Sequence, residues 1–178
     1  MTERDALDVL ISDHRAAEAL FSRVQLGATV NQAALDQLIR ELSIHAAIEE
    51  QVLYPAVRKE LGDEALVDHS LEEHQEAKEL LAAIEKAGAD DPQTGELLPK
   101  LERSVREHVQ EEEGQVFPKL RSTMAPEALM AMGDALEKAR KMAPTHPHPH
   151  APNTPPGNII AGAPTALVDK ARDALKRE

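Results

Sequence analysis

The chain has 178 residues, enough for one domain with a core of its own, and a formal net charge of −12 at neutral pH. That charge argues against a nucleic-acid backbone or an anionic membrane as partner, because both would repel it. There is no cysteine, which removes disulfides, thiol nucleophiles, thiolate zinc sites and iron–sulfur clusters, so any metal must be held by nitrogen and oxygen.

Only Phe21, Tyr54 and Phe117 are aromatic. The core must therefore be built from Leu, Ala, Val and Ile, which suits helix-on-helix packing. The opening "MTERDALDVLISDH" interleaves charges with apolar residues and does not read as a signal peptide. No run approaches the roughly 18 apolar residues of a membrane span, so a soluble, cytoplasmic chain is expected.

Apolar residues recur at helical spacing almost everywhere before Pro144. Leu7, Leu10, Ile11, His14, Ala17 and Phe21 predict a first helix over about 4–25. Asn31 is a natural N-cap for a second, in which Leu35, Leu38, Leu42, His45, Glu49, Val52 and Ala56 step by threes and fours until Gly62. A third helix spans about 63–87, with Leu71, His74, Ala77, Leu81 and Ile84 on one face. After the break "AGADDPQTG", a fourth covers about 95–120 and aligns Leu98, Leu101, Val105, His108, Glu112 and Val116. Pro55 and Pro118 fall late in their helices and predict a bend or an end.

A further helix starts near Pro126, a position where proline is tolerated, and its methionines read as packing groups. "PTHPHPHAPNTPPG" then reads as an extended, unpacked segment, and its alternating histidines as weak metal binders at most. "GAPTALVDKARDALKRE" closes the chain as a short amphipathic helix. The expected fold is all-α: an up-down-up-down antiparallel four-helix bundle with a C-terminal extension of one or two short helices. Its parts are the bundle over 1–122, an additional helix over 123–143, and a Pro/His-rich extended segment with a short terminal helix over 144–178.

One phrase occurs twice. "HAAIEEQVLYP" at 45–55 and "HVQEEEGQVFP" at 108–118 share His, three residues, Glu-Glu, two residues, an aliphatic, an aromatic and Pro. Upstream of each copy lies another seam histidine, His14 in "DHRAAEAL" and His74 in "EHQEAKEL". Each half is thus a helical hairpin with one His on its first helix and a His-x-x-x-Glu pair on its second, and i, i+4 spacing puts each pair on one face. Glu49 and Glu112 fall on apolar stripes, where a charge is costly unless paired or bound to metal. Glu50 and Glu113, about 100° further round, read as solvent-facing or as supports behind the ligands. Glu111 is an alternative to Glu112, but its counterpart in the first half is Ile48.

Four imidazoles and two carboxylates exceed what a tetrahedral zinc needs. They suit two metals sharing two carboxylates, and their chemistry selects iron, manganese or zinc over calcium or magnesium. Tyr54 reads mainly as packing, since its mirror is Phe117.

The order His … HxxxE … His … HxxxE, followed by "LYP" and "VFP", resembles the hemerythrin-like HHE family of non-haem di-iron proteins over about residues 7–120. The resemblance implies a four-helix bundle with His14, His45, Glu49, His74, His108 and Glu112 as metal ligands, Glu49 and Glu112 bridging. It implies two non-haem iron ions, oxo- or hydroxo-bridged, as the cofactor. Oxygen-carrying hemerythrins differ in having a fifth histidine one turn from that of the third helix, and an Asp in the last motif. Here Ser70 and Lys78 flank His74, and position 112 is Glu; His69 lies about 140° round the helix from His74. The smaller ligand set favours reaction or sensing over reversible carriage. The expected partner is a small-molecule oxidant, dioxygen, peroxide or nitric oxide, with no nucleic acid and no membrane. An iron- or oxygen-responsive sensor without turnover is the alternative.

Overall fold

A computed structural model describes residues 4–25 and 29–175, and these are all-helical, with no strand among the described residues. The elements are α1 (Ala6–Val24), α2 (Gln32–Ile48), a π-helical turn (Glu49–Leu53), α3 (Tyr54–Leu61), α4 (Glu64–Ala87), α5 (Pro92–Glu111), a second π-helical turn (Glu112–Val116), α6 (Phe117–Thr123), α7 (Pro126–Met142) and α8 (Gly157–Leu175). Local chemistry sets the boundaries. Asp5, Asn31, Asp63 and Asp91 each cap a helix by accepting a backbone N–H from the first turn. Gly62 closes α3 at φ 64°, a left-handed value that glycine adopts without Cβ strain.

The helices form a bundle whose apolar side chains divide into two clusters. The first gathers Leu7, Leu10, Ile48, Leu53, Val57, Val67, Leu120 and Leu136. The second gathers Leu20, Phe21, Leu35, Leu38, Leu42, Leu81, Ile84, Leu98 and Leu101. α1, α2 and α4 each contribute to both clusters, whereas α5 contributes to the second and the turn and helix that follow it to the first. Between the two clusters, each long stretch carries its seam histidine. α7 lies against α1, α2 and the Glu49–Leu53 turn. Gly133 makes that approach possible, since a Cβ there would lie 3.0 Å from the Arg4 carbonyl oxygen.

One expectation is refined and one is corrected. Just before Pro55 and Pro118 the α-helix is interrupted by a π turn, with α2 ending at Ile48 and α3 beginning at Tyr54, and α5 ending at Glu111 and α6 beginning at Phe117. Proline has no N–H to return to the carbonyl four residues back, and its ring clashes there. The chain absorbs this by widening one turn: Tyr54 N–H bonds Glu49 O and Phe117 N–H bonds Glu112 O, both i→i−5.

The Pro/His segment, although non-helical, is packed and not free. Thr145 and His146 are buried, and their backbone N–H groups both donate to Asp169 Oδ2 on α8. The His146 ring bridges Glu85 and Asp173, His148 reaches Asp169, and Gln75 Nε2 donates to Pro149 O. Two aspartates one turn apart on α8 thereby hold this strap across α2 and α4. Among the described residues, no helix is long and apolar enough to cross a membrane.

Candidate metal centre

The polar layer between the apolar clusters holds all six residues singled out by the doubled motif. His14, His74 and His108 are buried, His45 keeps 12% side-chain exposure, and Glu49 and Glu112 have 0% exposure. The histidines meet in two pairs: His14 and His45 with Nε2 atoms 3.1 Å apart, His74 and His108 likewise at 3.1 Å. Glu49 lies between the pairs, with Oε1 3.2 Å from His45 Nε2 and Oε2 3.3 Å from His74 Nε2. Glu112 does the same, with Oε2 3.4 Å from His14 Nε2 and Oε1 3.5 Å from His108 Nε2. Each carboxylate therefore offers one oxygen to each imidazole pair.

Hydrogen bonding alone does not account for this geometry. Both oxygens of Glu49 and Oε2 of Glu112 are buried without a hydrogen-bond partner, an arrangement that costs several kcal/mol unless something else compensates. Donor atoms held about 2.0–2.2 Å from a shared metal lie roughly 2.8–3.1 Å from one another at octahedral angles and roughly 3.3–3.6 Å at tetrahedral ones. The observed spacings fall within that span, so a buried His/Glu cluster of this form suits metal ions. His14, His45, Glu49 and Glu112 make one such group, and Glu49, His74 and His108 a second.

Behind the cluster lies a ring of carboxylates. His14 Nδ1–H donates to Glu113 at 2.8 Å, His74 Nδ1–H to Glu50 at 3.1 Å, and His108 Nδ1–H to Glu73 at 2.7 Å. His45 Nδ1 faces Asp13 more loosely, at 3.5 Å. Such partners fix ring orientation and turn the Nε2 lone pairs inward. The pairing is crossed between helices. The acid preceding His14 serves His45, and the acid preceding His74 serves His108. The acids following Glu49 and Glu112 serve His74 and His14. Glu50 is consequently buried, which excludes the solvent-facing reading for it, while Glu113 is half-buried. The "DH", "EH" and paired "EE" dipeptides were the available signal for this outer ring.

Before metal is bound, the layer holds protons. Burial pulls His45 toward neutrality, but the Glu49 charge and then Asp13 outweigh it and raise its pKa to about 10. Burial likewise opposes His74, yet Glu49 and Glu50 raise it to about 9. Burial pushes the Glu49 carboxyl upward, while His45 and His74 together hold it well below its usual range.

Tyr54 is the feature that sequence reasoning underrated. The π turn brings it round to the side of Glu49, where its buried hydroxyl donates to Glu112 Oε1 at 3.3 Å and lies 3.0 Å from His74 Nε2 and 3.4 Å from His108 Nε2. Burial and then the Glu112 charge keep this phenol well above its normal pKa. Its mirror, Phe117, stacks on His14 at 5.8 Å, so the two halves of the layer differ chemically. Glu111 and His69 lie outside the layer, paired with each other at 3.5 Å. A cavity of about 60 Å³ opens onto all four histidines, walled by Ala17, Leu42, Ala77, Leu81 and Val105.

The hemerythrin HHE cation binding domain model matches residues 5–120. A hemerythrin-like protein of Schizosaccharomyces pombe is 32% identical over 174 residues, covering 96% of this chain and 86% of that one. A DNA nickase of Nostoc sp. is 31% identical over 122 residues, covering 67% of this chain but 34% of the nickase; the chain thus spans about a third of that relative. The crystal structure of a hemerythrin HHE cation binding domain-containing protein from Mycobacterium kansasii has a TM-score of 0.66 at 21% identity, covering 78% of this chain and 88% of that one, a likeness of fold. With a family model spanning both copies of the repeated phrase and a relative aligned over nearly the whole length, the chain belongs to the hemerythrin HHE cation-binding domain family.

Proposed function

We propose that this chain is a non-haem di-iron protein that binds or reacts with a small oxidant: dioxygen, peroxide or nitric oxide. In this reading the four long stretches form an up-down-up-down antiparallel four-helix bundle. His14 and His45 would hold one ion and His74 and His108 the other, with Glu49 and Glu112 offering one carboxylate oxygen to each. The observation that carries it is the split of each carboxylate, one oxygen toward each imidazole pair. When bound, such a metal pair supplies Lewis acidity and one-electron chemistry toward a small oxidant.

The chain's own residues do the rest. Glu113, Glu50, Glu73 and Asp13 hold the imidazoles in orientation from outside. The apolar walls of Ala17, Leu42, Ala77, Leu81 and Val105 keep bulk water from the layer. A space of about 60 Å³ admits a few water-sized molecules and excludes large substrates. Tyr54 holds a proton at its hydroxyl oxygen within reach of Glu112, a donor on one side of an otherwise two-fold arrangement.

The test adds peroxide to the iron-loaded chain while absorption and oxygen release are followed. Absorption changes with sustained oxygen release support peroxide turnover. No response to peroxide, dioxygen or nitric oxide would refute the redox reading. A sensor without turnover is favoured by one observation: α8 packs on the Glu49–Leu53 turn, which includes the layer residue Glu49. Removal of residues 144–178 separates the two, because an enzyme keeps turnover without the tail whereas a sensor loses its output and keeps its metal.

A further inference from the structure

Three of the four outer carboxylates end on a fixed cation. Glu113 is bound by Arg15, Asp13 by Arg140 and Glu50 by Lys78, each at 2.6 Å. Glu73 breaks the pattern. One of its oxygens accepts from His108 Nδ1, but no lysine or arginine pairs with it among the described residues. Its other oxygen faces His69 Nε2 at 3.5 Å, and that same nitrogen lies 3.5 Å from Glu111 Oε2. Two carboxylates from neighbouring helices thus converge on one imidazole nitrogen. The His69 side chain is 52% exposed, so the convergence faces solvent.

These spacings are too long for hydrogen bonds. They match the roughly 3.4 Å that separates neighbouring donors around a tetrahedral ion with 2.0–2.2 Å bonds. His69, Glu73 and Glu111 each offer one donor atom, and all three atoms lie within 4.8 Å of one another. His69 and Glu73 are one turn apart on α4, and Glu111 is the last residue of α5. His69 and Glu73 share one face of a regular α-helix, and Glu111 closes α5 where the second π turn begins.

We propose that His69, Glu73 and Glu111 form a solvent-facing site for a divalent cation, separate from the buried layer. One imidazole with two carboxylates selects zinc, manganese or iron(II) over magnesium and calcium. The ion supplies Glu73 with the positive partner that Arg15, Arg140 and Lys78 supply to its three counterparts. Glu73 is shared, because its second oxygen holds the His108 ring. A cation outside draws on the same carboxylate that orients a histidine of the layer within. Without an ion, the three residues would make only surface ion pairs, worth little in water.

The test is equilibrium dialysis of the full chain against zinc, comparing wild type with His69→Ala and Glu111→Gln. Both side chains are at least partly exposed, so folding is checked simply by an unchanged thermal midpoint. Each variant is expected to bind one zinc fewer per chain than wild type. The difference is read whatever number of ions the buried layer holds, which keeps this proposal independent of the two-metal reading. Equal zinc content in wild type and both variants would overturn it. Loss of the additional zinc to excess magnesium would overturn the assigned cation class.

Discussion

Metal loading should expel protons, and the structure sets how many. The perturbation is zinc titrated at pH 8 into the metal-stripped chain, up to two equivalents. Raised to about 10, His45 is ~99% protonated there; raised to about 9, His74 is ~90% protonated. Both must surrender the proton for Nε2 to bind a metal. About two protons per chain should therefore appear, where imidazoles of ordinary pKa would together release less than ~0.1. A pH indicator in weak buffer counts them directly, and calorimetry in two buffers of different ionisation enthalpy counts them independently. Release of well under one proton would refute the argument that Glu49, Asp13 and Glu50 hold these rings charged. The same groups set the pH dependence of stability without metal. Their pKa values are raised on folding, so their contribution is complete below about 6.5 and is lost as pH rises through 9 to 10. The metal-stripped chain should accordingly melt at lower temperature at pH 10 than at pH 6.5.

Glu113→Gln, which weakens the charge behind His14 without emptying the layer, should lower metal affinity about 10–100-fold, measured by chelator competition. Tyr54→Phe removes one hydroxyl and copies the aromatic already present at 117; metal content should be retained while the absorption changes on oxidant addition differ from wild type. Asp169→Ala strips the partner from the Thr145 and His146 N–H groups. It should cost about 1–3 kcal/mol and speed proteolysis within 143–152, with metal content unchanged.

The six inward residues were legible because their signal is local and doubled: i, i+4 pairs on apolar stripes, written twice. The carboxylates behind them were legible only in part: Glu50 and Glu113 read as solvent-facing or as supports, and Asp13 and Glu73 were not singled out, because each acts on a histidine of a different helix and spacing along one helix says nothing of its neighbour. Glu50 illustrates the limit. An ideal helix turns it away from Glu49, but the π turn and the approach of α4 bury it against His74 and Lys78. Pro55 and Pro118 did announce a local disturbance, and its form is a widened turn, which accommodates the missing N–H and carries Tyr54 round to the polar layer. The strap was misread for a third reason. Its proline and histidine content suggests an unpacked linker, and the aspartates that satisfy its backbone lie more than twenty residues downstream, beyond any local pattern.

The central claim is a paired metal centre built by both halves of the repeat, and iron content tests it most directly. Iron per chain should be measured after anaerobic loading and desalting, with and without His45→Ala or His108→Ala. The account predicts about two irons in the buried layer, counted in a His69→Ala background that lacks the outer site, and a loss when either substitution is added, although the two lie in different copies of the motif. A single ion in that background, or unchanged iron on adding either substitution, would contradict it.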